Sequence, residues 1–292
     1  MKTLGIIGSG DMGSGVAGAF GSAGFDVVTA LQGRSAHSRM LAERAGTQDA
    51  GSLPALLAQA DVVFSIVPPA QAAAVAASVA DIGTFRGTFA DCNAVAPATA
   101  SELLEVVARS GAQVLDIGIV GMPPGREGGR ATRFYVAGPA RAQILGCEVS
   151  GIEWIDLGET LGRASAMKMM YASLNKGVDA LLTTIMLSAM RLGVDDALTA
   201  ELQASQRPLL ERMRRRIPFL AATAERYVPE MREIAATFEA AGTTARFHEG
   251  AAWLYEVLAH SELASESRAT LPAERSLEEA LQAFAAALPE SG

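Results

Sequence analysis

The sequence predicts an α/β fold that opens on a doubly wound, mostly parallel sheet. One long helix and an all-α C-terminal half follow it. Three observations carry this prediction. Short apolar runs alternate with helical stretches from residue 3 to about residue 156, as in a sheet whose strands are joined by crossover helices. From Gly162 to Gly193 apolar residues recur at three-and-four spacing, a helical period. Beyond Gly193 strand signals vanish. The 292 residues therefore divide as 1–161, the doubly wound domain; 162–193, an interdomain helix about 45 Å long; and 194–292, a helical domain.

The first strand, TLGIIG at 3–8, ends in GSGDMG. Gly8, Gly10 and Gly13 have the G-x-G-x-x-G spacing, with Ser9, Asp11 and Met12 between them. The first glycine permits a tight turn, the second lets a pyrophosphate approach the backbone, and the third lets the next helix pack on the sheet. That helix begins near Met12, offers free N–H groups to phosphate, and ends near Gly24 before a second strand, FDVVTAL. The strand–loop–helix context favours dinucleotide binding over a purely structural turn.

Cofactor choice is read after the second strand. An NAD site wants an acid about 20 residues past the first glycine, and TALQGRSAHSR has none. Gln32 and Gly33 leave room, while Arg34, Ser35, His37 and Arg39 offer charge and hydroxyl donors. A 2′-phosphate suits guanidinium chemistry, so NADP is expected ahead of NAD. His37 and Arg39 equally fit the wet face of the next helix.

A helix near 52–59 leads to strand 61–67, which stops at Pro68 and Pro69. Val67 and Pro68 either press on the nicotinamide end of a cofactor or only terminate the strand. Helix 70–80, strand 88–93, helix 97–110 and strand 113–120 follow. The turn GMPPGREGGRA at 121–131 carries Arg126 and Arg130, and reads equally as a flap over an anion or a solvated hairpin. Strand TRFYVAGP, a short helix from Ala140 and a strand near 150–156 complete the sheet. Ligands of such sheets lie beyond the carboxyl ends of the strands, where Pro68, Asn93 and the 118–124 turn should converge.

In the long helix the apolar series is Met167, Met170, Tyr171, Leu174, Val178, Leu181, Leu182, Ile185 and Met186. Lys168 lies in its first turns, with Tyr171 and Asn175 near the same face. Position alone leaves Lys168 open as a solvated lysine. Further helices are expected at 195–204, 206–216, 223–241, 248–265 and 273–287. The basic run RMRRR at 212–216 reads as a surface helix face. His248 opens a helix, facing a cleft or serving as a cap.

The net charge of -8 and the absence of a long basic run argue against nucleic acid. Cys92 and Cys147 lack metal spacing, the three histidines do not suggest a metal centre, and a reduced, cytoplasmic setting is expected. The run LGII is too short for a signal peptide, and Lys176, Asp179 and Arg191 interrupt the longest helix, so no membrane span is expected.

GSGDMG at 8–13, DCNAVAPATA at 91–100, DIGIVG at 116–121 and GRASAMK at 162–168 together resemble the β-hydroxyacid dehydrogenase family. This group is related to 6-phosphogluconate and 3-hydroxyisobutyrate dehydrogenases. KMMYASLNKG, RYVPEMREIA and ARFHEGAAW resemble a branch whose C-terminal domain is defined only as a domain of unknown function. The resemblance implies a Rossmann domain, a helical domain that helps build a homodimer, and hydride transfer between nicotinamide and a hydroxy acid. It places Asn93 near nicotinamide and substrate, and Lys168 at the catalytic lysine.

The chain departs from the family at three places. Val120 stands at a usual serine, followed by Gly121 and Met122, which would border substrate. Ala172 stands at a usual asparagine, with Asn175 one turn on as the substitute. Glu230 and Met231 stand near a usual lysine–aspartate pair. A substrate larger or less polar than 3-hydroxyisobutyrate follows, with Tyr171 and His248 as further contacts. The expected function is an NADP-dependent oxidoreductase acting on a hydroxy acid or related alcohol, with Lys168 as general acid–base. Imine reduction on the same scaffold and a non-catalytic cofactor sensor are the alternatives.

Overall fold

The computed structural model describes residues 1–125, 130–266 and 270–289. The chain divides into two compact units, Met1–Met169 and Met170–Gly292.

Among the described residues the first unit contains eight strands: β1 (Thr3–Ile7), β2 (Asp26–Thr29), β3 (Gln48–Asp49), β4 (Val62–Ser65), β5 (Thr88–Asp91), β6 (Gln113–Val120), β7 (Thr132–Ala137) and β8 (Ile152–Asp156). They form one sheet in the order β3-β2-β1-β4-β5-β6-β7-β8. Every neighbouring pair is parallel except β6 with β7. Side chains alternate across the sheet: Val63, Phe89 and Val114 enter one core, and Phe64, Ala90 and Leu115 the other. Burial on both faces explains why these strands read as short continuous apolar runs. The helices between strands are α1 (Asp11–Ser22), α2 (Ala36–Arg44), α3 (Leu53–Gln59), α4 (Pro69–Ile82), α5 (Pro97–Arg109) and α6 (Ala142–Leu145). Pro69 and Pro97 each begin a helix, where a missing N–H costs nothing. β3 has no sequence signal: it is two exposed polar residues pairing with β2.

The helix expected over 162–193 is not one regular helix. α7 (Arg163–Ala172) runs into a π turn, Ser173–Gly177, and then into α8 (Val178–Leu192), which stops at Gly193. A wider turn opens the regular ladder, so its carbonyls are accessible to further donors. Arg212 Nη2 donates to Asn175 O (3.0 Å) and Tyr255 Oη to Lys176 O (2.9 Å). Both donors come from distant helices, so no local signal announces the turn.

The second unit continues with α9 (Asp195–Ser205), α10 (Arg207–Arg216), α11 (Ala221–Ala240), α12 (Arg246–Ala259) and α13 (Leu277–Ala287). α11 and α12 pack along each other over a core that includes Met231, Ile234, Tyr255, Leu258 and Phe284. Ser276 and Glu279 form a capping box at α13. The apolar series of the long helix is split. Leu182 and Met186 are buried, whereas Met170, Tyr171, Leu174, Leu181 and Ile185 are exposed. No helix among the described residues is long and apolar enough to cross a membrane.

Candidate active site

The glycine loop joins β1 to α1. Gly8 has φ +104°, and a Cβ there would lie 2.2 Å from Ile66 O. A Cβ on Gly13 would lie 1.9 Å from Gly8 O. Both are fixed by the chain's own packing. Gly10 differs: a Cβ there meets no described atom within 4 Å, so nothing in the fold demands its bare backbone. It is also the N-cap of α1, with no side-chain capping bond. The start of α1 thus points its first-turn N–H groups along the helix axis past Gly10, a cradle that fits a pyrophosphate. Ser9 is buried beneath this loop and pairs its Oγ with Thr29 Oγ1 at 3.1 Å, while Asp11 and Met12 lie in the first turn of α1.

Beyond the end of β2 a hollow of 350 Å³ is lined by Gln32, Arg34, Leu53, Gln71 and Ser78, among others. Ser35 is the N-cap of α2, its Oγ accepting from Ser38 N–H. An acid bonded to this turn, Asp49, accepts from Leu31 N–H (3.1 Å) and Gly51 N–H (2.8 Å).

The carboxyl ends of β4, β5 and β6 carry the remaining residues. Val67 N–H donates to Asn93 Oδ1 at 2.7 Å, and Asn93 Nδ2 donates to Ser65 Oγ and to Asp91 Oδ1. Asn93 thus ties the strand ends together with both ends of its amide, and Pro68 follows at the N-cap of α4. Asp91 is buried, its Oδ2 has no partner among the described residues, and burial pushes its carboxyl up to about 7. The turn after β6 is anchored by Thr132 Oγ1, which donates to Met122 O at 2.6 Å. Gly121 has φ +127°, and Met122 is exposed. Pro123 packs on α1 at Gly15, where a Cβ would lie 2.7 Å from Pro123 Cβ. Arg126 lies outside the described residues, so the expected flap is described only up to Gly125 and from Arg130 onward.

Lys168 reaches this rim from α7, its Nζ donating to Ile119 O at 2.5 Å. Two residues of β6 make that approach possible. Gly118 has no side chain, and a Cβ there would lie 2.4 Å from Ala164 O. Asp116 accepts from Ala164 N–H (2.9 Å), Ser165 N–H (3.1 Å) and Ser165 Oγ (2.6 Å), seating the start of α7. Burial raises the Asp116 carboxyl, opposed by the bonds from Ser165 and Ala164. Asp91, Asp116 and Gly118 have no place in the reading of site residues from sequence. Their signal was an acid or glycine inside an otherwise apolar strand.

Tyr171, Asn175 and His248 belong to the second unit. Tyr171 is exposed, and Asn175 Nδ2 donates back to Tyr171 O at 3.1 Å. His248 is buried inside α12, not placed as a cap. Its ring packs on Phe238 with centroids 4.4 Å apart, and burial lowers its pKa. It borders a 460 Å³ apolar cleft with Gly177, Leu181, Phe247 and Trp253. Glu230 is buried and paired to Lys176 Nζ at 2.7 Å.

Residues 3–144 match the NAD-binding domain of 6-phosphogluconate dehydrogenase, and residues 189–258 match DUF1932, a domain of unknown function. Together these two matches are the domain pairing of the β-hydroxyacid dehydrogenase branch that the sequence motifs resemble. A conserved hypothetical protein from Sinorhizobium meliloti is 26% identical, with a TM-score of 0.65 over 99% of this chain and 97% of that one. Mycobacterium tuberculosis 3-hydroxyisobutyrate dehydrogenase, solved with L-serine, has a TM-score of 0.68 at 18% identity, covering 97% of this chain and 98% of that one. A reductive aminase from Aspergillus terreus, solved with a nicotinamide cofactor, cyclohexanone and allyl amine, shares the fold at 20% identity and a TM-score of 0.54, covering 97% of this chain and 99% of that one. The matched model makes residues 3–144 a nicotinamide-dinucleotide-binding domain.

Proposed function

We propose that the protein transfers a hydride between NADP and the hydroxyl-bearing carbon of a hydroxy acid or related alcohol, with Lys168 as general acid–base. The observation that carries this reading is the position of Lys168 Nζ. It is bonded to Ile119 O at the carboxyl end of β6, the sheet edge that also presents the glycine loop, Val67, Asn93 and Met122. Bound nicotinamide would supply or accept the hydride. Lys168 would give a proton to the oxygen as it becomes alkoxide-like, or remove it in the oxidative direction. Its cation would stabilise that developing charge but repel a cationic imine, which favours C=O over C=N chemistry. NADP is supported by Arg34, whose guanidinium lines the hollow beyond β2 and has no partner among the described residues, and by Asp49 being spent on backbone N–H groups.

Tyr171, Asn175 and His248 are proposed substrate contacts contributed by the helical unit. A homodimer is proposed as well, supported by the large apolar side chains left exposed at Met170, Leu174, Leu181 and Ile185.

Lys168→Met keeps an unbranched chain of good helix propensity. The variant is expected to bind NADPH within about threefold of the parent and to lose at least about 100-fold in turnover of a ketoacid found by screening. A loss under about tenfold, with chemistry rate-limiting, would return Lys168 to a structural role. Turnover of cyclic imines alone in the same screen would replace carbonyl reduction by imine reduction. NADPH binding without any turnover would favour a sensor.

A further inference from the structure

The turn from β2 to α2, Leu31–Ser35, is held from both sides. Gly33 has φ +71°, and Arg34 N–H closes the turn on Leu31 O at 3.1 Å. On one flank Asp49 accepts from Leu31 N–H. On the other, Arg39 reaches back from the first turns of α2. Its Nη2 donates to Leu31 O at 2.6 Å and its Nε to Arg34 O at 3.3 Å. Leu31 is thus held through both its N–H and its carbonyl, and one guanidinium spans the turn. Arg34, whose own carbonyl is one of the two gripped, sends its guanidinium to no described partner and lines the hollow beyond β2.

We propose that Arg39 is a positioning residue for cofactor selectivity: it clasps the Leu31–Ser35 turn so that Arg34 is presented, pre-ordered, to the 2′-phosphate of NADP. This rests on the NADP reading above. A flexible arginine must lose rotamer and loop freedom on binding a phosphate, and a clasped turn has lost part of it beforehand. The fork of a guanidinium can span two carbonyls in fixed geometry. An ammonium is a point donor on a flexible stem and cannot reproduce that span.

The test is calorimetric titration of NADPH and NADH into the parent, Arg34→Met, Arg39→Met, Arg39→Lys and the Arg34→Met/Arg39→Met double variant. Two hydrogen bonds, each worth roughly fivefold, set the expected NADPH loss in Arg39→Met at about 5- to 25-fold, with NADH changed less than about twofold. Arg39→Lys should fall with Arg39→Met. The double variant should bind NADPH no more weakly than Arg34→Met alone, because the clasp acts only through Arg34. Amide exchange at Arg34 should quicken in Arg39→Met, while the unfolding midpoint of this exposed site stays near the parent's. A multiplicative loss in the double variant with rescue by lysine would overturn the clasp in favour of direct phosphate contact. Loss of selectivity in Arg34→Met but not in Arg39→Met would overturn it and leave the NADP reading intact. Equal NADPH and NADH affinity in the parent would remove both.

Discussion

The two units neutralise buried charge in different ways. In the sheet unit, buried Asp116 is met by the backbone N–H groups of Ala164 and Ser165, and buried Asp91 by the Asn93 amide. Their carboxyls are shifted up, Asp91 to about 7. In the helical unit, buried Asp179 is met by Arg212 and Arg216, each at 2.8 Å, and Glu230 by Lys176. The difference follows from where backbone polar groups are spent. Strand ends and helix starts leave N–H groups free to serve a carboxylate. Regular helices use theirs internally, so a buried acid among helices needs a cation from a side chain. For Asp91, burial with only an amide partner and another carboxylate nearby favours the proton.

The largest effect should come from unpairing Asp179. Arg212→Met with Arg216→Met leaves a carboxylate buried at 1% exposure with no cation, and is expected to cost about 3–5 kcal/mol in urea unfolding. Asp179→Asn should cost less, because the two arginine side chains, 27% and 42% exposed, reach water. The reverse ranking would break the comparison.

A smaller effect, of opposite pH logic, is expected at Asp91. Its folded pKa, about 7, lies above the unfolded value near 3.8, so between these values the folded state holds more protons than the unfolded one. The favourable contribution of this proton is complete below about pH 4 and is lost as pH rises through 7, by on the order of 4 kcal/mol. Asp91→Asn should flatten that part of the stability–pH curve. An unchanged slope between pH 5 and 7 would show that Asp91 stays ionised in the fold.

The smallest effects sharpen the contrast within the glycine loop. Gly13→Ala drives a Cβ into Gly8 O and should cost about 2–3 kcal/mol. Gly10→Ala meets open space and should cost under about 1 kcal/mol, yet weaken NADPH binding by roughly tenfold or more. Retained affinity in the stable Gly10→Ala protein would remove the loop from phosphate binding.

The sequence by itself determined the fold class, most elements of the sheet, the glycine loop and the lysine on α7. Each is written locally: apolar period, helix punctuation by Gly193 and the prolines, or a loop whose glycine spacing matches its backbone. Local pattern could not show that Asn93 bonds back to Val67, or that Arg39 holds the turn carrying Arg34. Nor could it show that Asp116 and Gly118, about 50 residues away in the chain, seat the helix of Lys168. The interruption at Ser173–Gly177 was equally hidden, since two of its carbonyls, Asn175 O and Lys176 O, take bonds from the distant Arg212 and Tyr255. Periodicity reports which face of an element is apolar, not which distant side chain will meet its backbone. Those partners were chosen by tertiary packing, because a buried polar group takes whichever donor the fold brings within hydrogen-bond reach.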